Sequence, residues 1–381
     1  MNSHFVRASI IAIAFTLNTA SSIAQWNPAR DASLFTYVFS TEGHYVNDHC
    51  LIYADSLWHV FYIDGVILFS DDKVITTMTG WDRKGNEVSI GHATSPDLRS
   101  WTLREPALSV GPKGSRDEGH VYAPSVFRDG DRYYMAYTGN ERSFEGGEHL
   151  LMAASTDLYN WTKLSDQPFI TPDSAWAMYM PAGENGLLGG PYSGRDPHVI
   201  TDPIHGYIAY YVARLRADSL IDSTDGQRSC VAAATSSDRI TWIDRGPILV
   251  RSTYDDDQAF SWNHPESPCV VMRNGLYYLF WKGGVGTRYV ISNDPLEFPD
   301  TAEYQLATTH ASEIFEWNGE WFITSCSRNV DDIAHKRSDR TRGLYIARLE
   351  WNGIHPFVVP FDATSAVASD VLRKALHLML Q

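Results

Sequence analysis

Apolar and aromatic residues in this chain come in short runs, and each run is cut by a tight polar turn. From Asp196 it reads DPHVITDPIHGYIAYYV: an alternating stretch, a turn, then an aromatic-rich stretch. That pattern predicts two antiparallel strands joined as a hairpin. It recurs as DHCLIYADSLWHVFYI from Asp48, APSVFRDGDRYYMAYT from Ala123, ESPCVVMRNGLYYLFW from Glu266 and ASEIFEWNGEWFITSC from Ala311. Turn pairs such as Asp-Ser, Asp-Gly and Asn-Gly separate the halves.

A second motif follows four of the hairpins: ATSPDLRSW at 93–101, ASTDLYNW at 154–161, ATSSDRITW at 234–242 and ISNDPLEF at 291–298. The pairs Asp97/Trp101, Asp157/Trp161, Asp238/Trp242 and Asp294/Phe298 read as a turn acid with a packing aromatic, a structural device. GLYIARLEW at 343–351 supplies a third strand after the last hairpin. Five copies of one strand unit, roughly 45 to 75 residues apart, predict an all-β five-bladed β-propeller over residues 25–360. Residues 25–45 are expected to close the ring by giving a strand to the last blade, which would protect two sheet edges. The remainder, 361–381, reads as a short C-terminal helix.

The N-terminus adds a destination. Residues 1–24 carry one charge, Arg7, then ASIIAIAFTL and small residues ending SSIA, the layout of a cleavable signal peptide. A periplasmic or secreted protein starting at Gln25 is expected, with no lipid anchor and no later run long enough to span a membrane. Net charge is −15, or −16 once Arg7 is removed, which argues against nucleic acid as a partner. The protein is expected to be a monomer. Cys50, Cys230, Cys269 and Cys326 are too scattered for a metal knuckle, and most are expected to be buried free thiols.

In a propeller the innermost strands run in one direction along the channel, so their first residues meet at one mouth. Those positions hold Asp48, Ala123, Asp196, Glu266 and Ala311. Asp-Pro at 196–197 alone would read as a turn, but recurrence of acids at the start of apolar strands demands a partner or a task. Three carboxylates at a concave mouth suit glycosidic hydrolysis, which needs one protonated acid and one ionised carboxylate. The third raises the proton affinity of its neighbours, and the two alanines leave room for a sugar ring.

These residues resemble the five-bladed propeller glycoside hydrolases, namely the arabinanases and β-xylosidases of family 43 and the invertases and levanases of family 32. The resemblance covers about residues 40–350. Arg195-Asp196-Pro197 matches the invertase-type motif. Glu266-Ser267-Pro268 stands where family 43 has Glu-Gly-Pro and the invertases Glu-Cys-Pro. YAPSV at 122–126 and YTG at 137–139 are similar to both, and VND at 46–48 looks like the invertase start with His49-Cys50 replacing its continuation. The resemblance implies that Asp48 is the nucleophile or general base, Asp196 the transition-state stabiliser and Glu266 the general acid. The altered residues after Asp48, and the lack of a C-terminal β-sandwich, lean towards family 43 and an inverting reaction.

Arg195 is expected to clamp a substrate hydroxyl or to pair with a nearby acid, while His120 and Tyr122 stand close enough in sequence to touch sugar. Trp262 and Trp81, in loops, are candidates for stacking on a sugar face. His310 reads either as a channel histidine or as a ligand of a structural calcium; no cofactor is otherwise required. The leading expectation is a hydrolase of arabinosyl, xylosyl or fructosyl linkages in oligo- or polysaccharides. Alternatives are a retaining fructosidase, a non-catalytic carbohydrate-binding propeller, and lastly a phosphorylase using Arg195, Arg214 and Arg216.

Overall fold

The computed structural model describes residues 33–363 apart from 71–72, 77–85, 142–146, 184–187, 217–227, 253–263, 285, 301 and 328–341. The sequence-predicted signal peptide lies outside the described residues, as do Trp81, Trp262 and residues 364–381 of the expected C-terminal helix.

Five antiparallel sheets form the blades of a propeller. The inner strands are His44–Ala54, His120–Asp129, Gly194–Asp202, Glu266–Arg273 and Glu313–Trp317. Each pairs through a tight turn with the second half of its repeat, so Leu57–Val66, Arg132–Asn140, Gly206–Arg214, Leu276–Gly283 and Glu320–Ser325 lie next outward. Small hairpins outside the blades include Tyr179–Met180 against Gly190–Pro191, between the second and third blades.

A twisted sheet with two apolar faces has to be covered on both, and stacking blades around a ring achieves that. The core accordingly lies between blades. Phe127, Tyr134 and Met152 of the second blade pack with Tyr211, Ala213 and Cys230 of the third, and Tyr278, Phe280 and Tyr289 of the fourth pack with Ile323, Tyr345 and Leu349 of the fifth. All four cysteines are buried free thiols, where most were expected to be.

The turn acids have the structural role that their spacing predicts. Asp97 accepts the backbone N–H groups of Arg99 and Ser100, and Trp101 Nε1 donates to the carbonyl of Leu98. Asp157 with Trp161 and Asp238 with Trp242 repeat the arrangement.

Ring closure uses the chain start. Thr36–Phe39 pairs antiparallel with the strand Leu344–Asn352, with Thr36 opposite Ile346 and Phe39 opposite Leu344. His355–Val359 covers the rest of that edge.

Candidate active site

Four of the five inner strands break their ladder near the start. Register shifts lie between Asn47 and His49, Tyr122 and Ser125, Arg195 and His198, and Glu266 and Cys269. At each break, and just before the inner strand of the fifth blade, one residue takes a left-handed backbone: Asp48 (φ 21°), Ala123 (43°), Asp196 (52°), Ser267 (49°) and Ala311 (50°). Such bulges re-aim side chains, and strained φ values in non-glycine residues persist where the surroundings impose them. Pro124, Pro197 and Pro268 follow three of these residues, where the broken ladder asks for no N–H.

The ring so defined corrects one expectation. Ser267, not Glu266, is the fourth equivalent position. Matching the repeats by their acids places Glu266 there, whereas matching them by the prolines after the bulge gives the observed register. Glu266 stands one residue earlier, level with Asn47, Tyr122, Arg195 and His310. Asp48, Ala123, Asp196, Ser267 and Ala311 line one small cavity in the channel.

The three acids remain neighbours. Ser267 joins two of them: its hydroxyl donates to Asp48 Oδ1 at 2.5 Å and its backbone N–H to Asp196 Oδ2 at 3.0 Å. Asn47 Nδ2 donates to Asp48 Oδ2 at 3.1 Å. Asp196 is buried, and its own N–H reaches Thr138 Oγ1 of the second blade at 2.9 Å. Glu266 receives Lys282 Nζ on Oε2 at 2.7 Å and an Arg195 guanidinium nitrogen on Oε1 at 3.0 Å. Arg195 therefore pairs with an acid, and Glu148, 3.8 Å from its Nε and held by the Ser193 hydroxyl at 2.7 Å, steadies its other side.

These contacts divide the proton affinities. Burial, reinforced by Asp196 and Glu266, pushes Asp48 up to about 7 against the opposing Ser267 and Arg195. Asp196 is also raised by burial, with Glu266 adding and Arg195 opposing. Burial pushes Glu266 upwards too, but Lys282 and Arg195 outweigh it and hold the group well below the usual glutamate range. In the free site the first proton belongs to Asp48, while Glu266 is a carboxylate.

His120 is buried with Nδ1 on the carbonyl of Asn86 at 2.8 Å, and its ring stacks on Tyr122 with centroids 5.3 Å apart. Tyr122 lies within electrostatic reach of Glu148 and Arg195, which places it at the acids' side. His310 lies beside Lys282, Glu266, Arg342 and Arg195, and burial holds its pKa down to about 3. Among the described residues it belongs to no group of three close His, Cys or acid donors. Lys282, Arg342 and Arg195 bring positive charge to His310 and Glu266 negative charge.

Three such donors do meet deeper in the channel, where atoms of His198, Cys269 and Glu313 lie within 4.8 Å of one another. Backbone groups already engage two of them. His198 Nε2 contacts the carbonyl of Val270 at 3.1 Å, and Cys269 accepts the N–H of Ile314 at 3.4 Å. Burial pushes Glu313 up to about 8. A carboxyl whose proton affinity rises on folding costs nothing below its unfolded pKa and costs stability progressively as pH rises through the folded value. Glu313→Gln should therefore raise Tm by several degrees at pH 9 and change it little at pH 4. Calorimetry showing no gain at pH 9 would mean that Glu313 is solvated there.

Lys282, Ser267 and Ser193 escape a search for acids and histidines, and Glu148, though an acid, does not stand at the start of an inner strand. Plain hairpin counting from the Asn274-Gly275 turn sets Glu266 opposite Gly283; the bulge between Glu266 and Cys269 shifts the register by one and brings Lys282 opposite Glu266 instead.

The sequence profile of the glycosyl hydrolases family 43 matches residues 53–355. The chain belongs to that family. This family 43 member is thereby a glycosidase, and the match spans Asp196 and Glu266 but begins after Asp48. Solved structures agree on the fold. A thermostable family-43 glycoside hydrolase is 16% identical with a TM-score of 0.58, covering 85% of this chain and 96% of its own. The α-L-arabinanase of Cellvibrio cellulosa, complexed with arabinohexaose, is 15% identical with a TM-score of 0.54, covering 82% and 95%. The Bombyx mori GH32 β-fructofuranosidase BmSUC1 is 17% identical with a TM-score of 0.58, covering 88% of this chain and 68% of its own. Likeness to family 32 is thus structural. No curated protein matches the chain.

Proposed function

We propose that this family 43 glycosidase cleaves arabinosyl or xylosyl linkages of oligo- or polysaccharides with inversion, using Asp48 as base, Glu266 as acid and Asp196 as stabiliser. The carrying observation is the meeting of three carboxylates from three blades, two of them tied together through Ser267. In the step proposed, water attacks the anomeric carbon as Asp48 takes its proton. The bond to the leaving oxygen breaks as Glu266 protonates it. Asp196, buried between them in charge, steadies the oxocarbenium-like state. Arg195, Tyr122 and His120 orient the sugar, with Trp262 and Trp81 as further contacts. The leader-like residues 1–24 support action outside the cytoplasm. A fructosyl substrate with retention is the second reading, favoured by the Arg195-Asp196-Pro197 motif.

The working arrangement, Asp48 ionised and Glu266 protonated, holds the same single proton as the resting one. Activity therefore needs one proton in the pair. The profile of kcat/KM against pH is expected to be bell-shaped, with a basic limb near 7 from Asp48 and an acid limb below the usual glutamate range from Glu266. Turnover of aryl arabinofuranosides, aryl xylosides and fructans, with NMR of the first-formed anomer, tests the reading. Turnover of fructans alone, or a product that keeps the substrate's configuration, would overturn it.

A further inference from the structure

The fourth blade carries the one hydroxyl in the bulge ring. Its residue, Ser267, sits at φ 49°, a conformation glycine adopts at no steric cost. Ala123 and Ala311 show that a methyl is enough to fill the equivalent place in two other blades. Neither backbone nor packing asks for serine here. Its distinguishing contact is the 2.5 Å hydrogen bond from its hydroxyl to Asp48 Oδ1. The same residue's N–H holds Asp196 at 3.0 Å, so the hydroxyl is anchored at its backbone to the adjacent acid.

We propose that Ser267 is a positioning residue whose hydroxyl holds the Asp48 carboxylate in the ionised, channel-facing orientation that attack on the sugar requires. This rests on the role given to Asp48 under Proposed function. Asp48 is faced by Asp196 and Arg195 of the third blade, Glu266 of the fourth, Cys326 of the fifth and Asn47 of its own strand. Asp196 and Glu266 drive a proton onto it, and Ser267 and Arg195 oppose them. Without the hydroxyl, one of those two opponents is gone. Asp48 then keeps its proton to higher pH, and the working arrangement becomes rarer.

Ser267→Ala and Ser267→Gly test this together, because glycine relieves the backbone and alanine does not. In both, the basic limb of kcat/KM should move up by about one pH unit, and kcat at pH 6 should fall about tenfold with little change in KM. Below the unfolded aspartate pKa, where Asp48 is protonated in folded and unfolded chains alike, Tm should stay at the wild-type value in the alanine variant and stay or rise in the glycine variant. A second readout needs no substrate: the carboxyl resonance of 13C-labelled aspartate assigned by its loss in Asp48→Asn. Its midpoint should rise by the same amount in both variants. An unmoved midpoint overturns the inference, and so does a moved midpoint with an unmoved kinetic limb. A moved midpoint in a protein that turns over no glycoside supports the Ser267 contact while overturning the role given to Asp48.

Discussion

Asp196→Asn is expected to fold normally and to lose two to four orders of magnitude in kcat, with a much smaller change in KM. Folding should survive because asparagine tolerates the left-handed backbone found at this position. The N–H of residue 196 keeps its acceptor on Thr138 in either case. What disappears is negative charge in a buried place, between the Arg195 guanidinium and the carboxylate of Glu266. A charge that matters most when the sugar becomes cation-like lowers kcat more than binding, and the range corresponds to roughly 3 to 5 kcal/mol of barrier. Stopped or steady-state kinetics on a confirmed substrate would decide the matter. Turnover near the wild-type rate would return Asp196 to a turn residue that happens to face the channel.

The second large effect separates the acids. Glu266→Gln should lose roughly a thousandfold on a natural glycan and only about tenfold on a dinitrophenyl glycoside, whose leaving group departs without a proton. Glutamine keeps the shape of the side chain and a carbonyl oxygen for Lys282 or Arg195, so the comparison reads charge and proton rather than collapse of the pocket. The test is pointed because the free site holds Glu266 ionised. Equal losses on both substrates would make Glu266 the base and Asp48 the donor, with Lys282 as the partner that keeps the base charged.

Much of the propeller was written in its hairpins. Inner and second strands combine alternation, aromatic runs and turn pairs, so five copies announce themselves. Outer strands do not: Thr102–Ser109 is exposed along most of its length, and Thr162–Lys163 is two residues long, leaving no apolar period to read. At the site, Asp48, Asp196 and Glu266 stood out because acids at the start of buried strands are costly. Their exact ring did not, since Glu266 lies one residue ahead of the bulge that Ser267 occupies. Glu148 supports Arg195 from the second blade and is itself held by Ser193, two residues before Arg195, and no repeat of the hairpin pattern marks Glu148 for that place.

The strand exchange at the fifth blade also governs how the molecule reaches its fold. Four blades are built from consecutive hairpins, whose partners are near in sequence and meet quickly. The pairing of Thr36–Phe39 with Leu344–Asn352 joins segments roughly 300 residues apart, so the circle shuts only after almost all the chain has been made. Until then Val46, Val60 and Tyr62 on the first blade lack the Leu344 and Cys326 that bury them in the closed ring. An open array with a bare, apolar flank at each end is the species most prone to stick to its own kind. Shortening the chain before residue 41 would make that open array the end of the pathway, and the loss would register first as poor yield of soluble protein, ahead of any defect in the acids at the mouth.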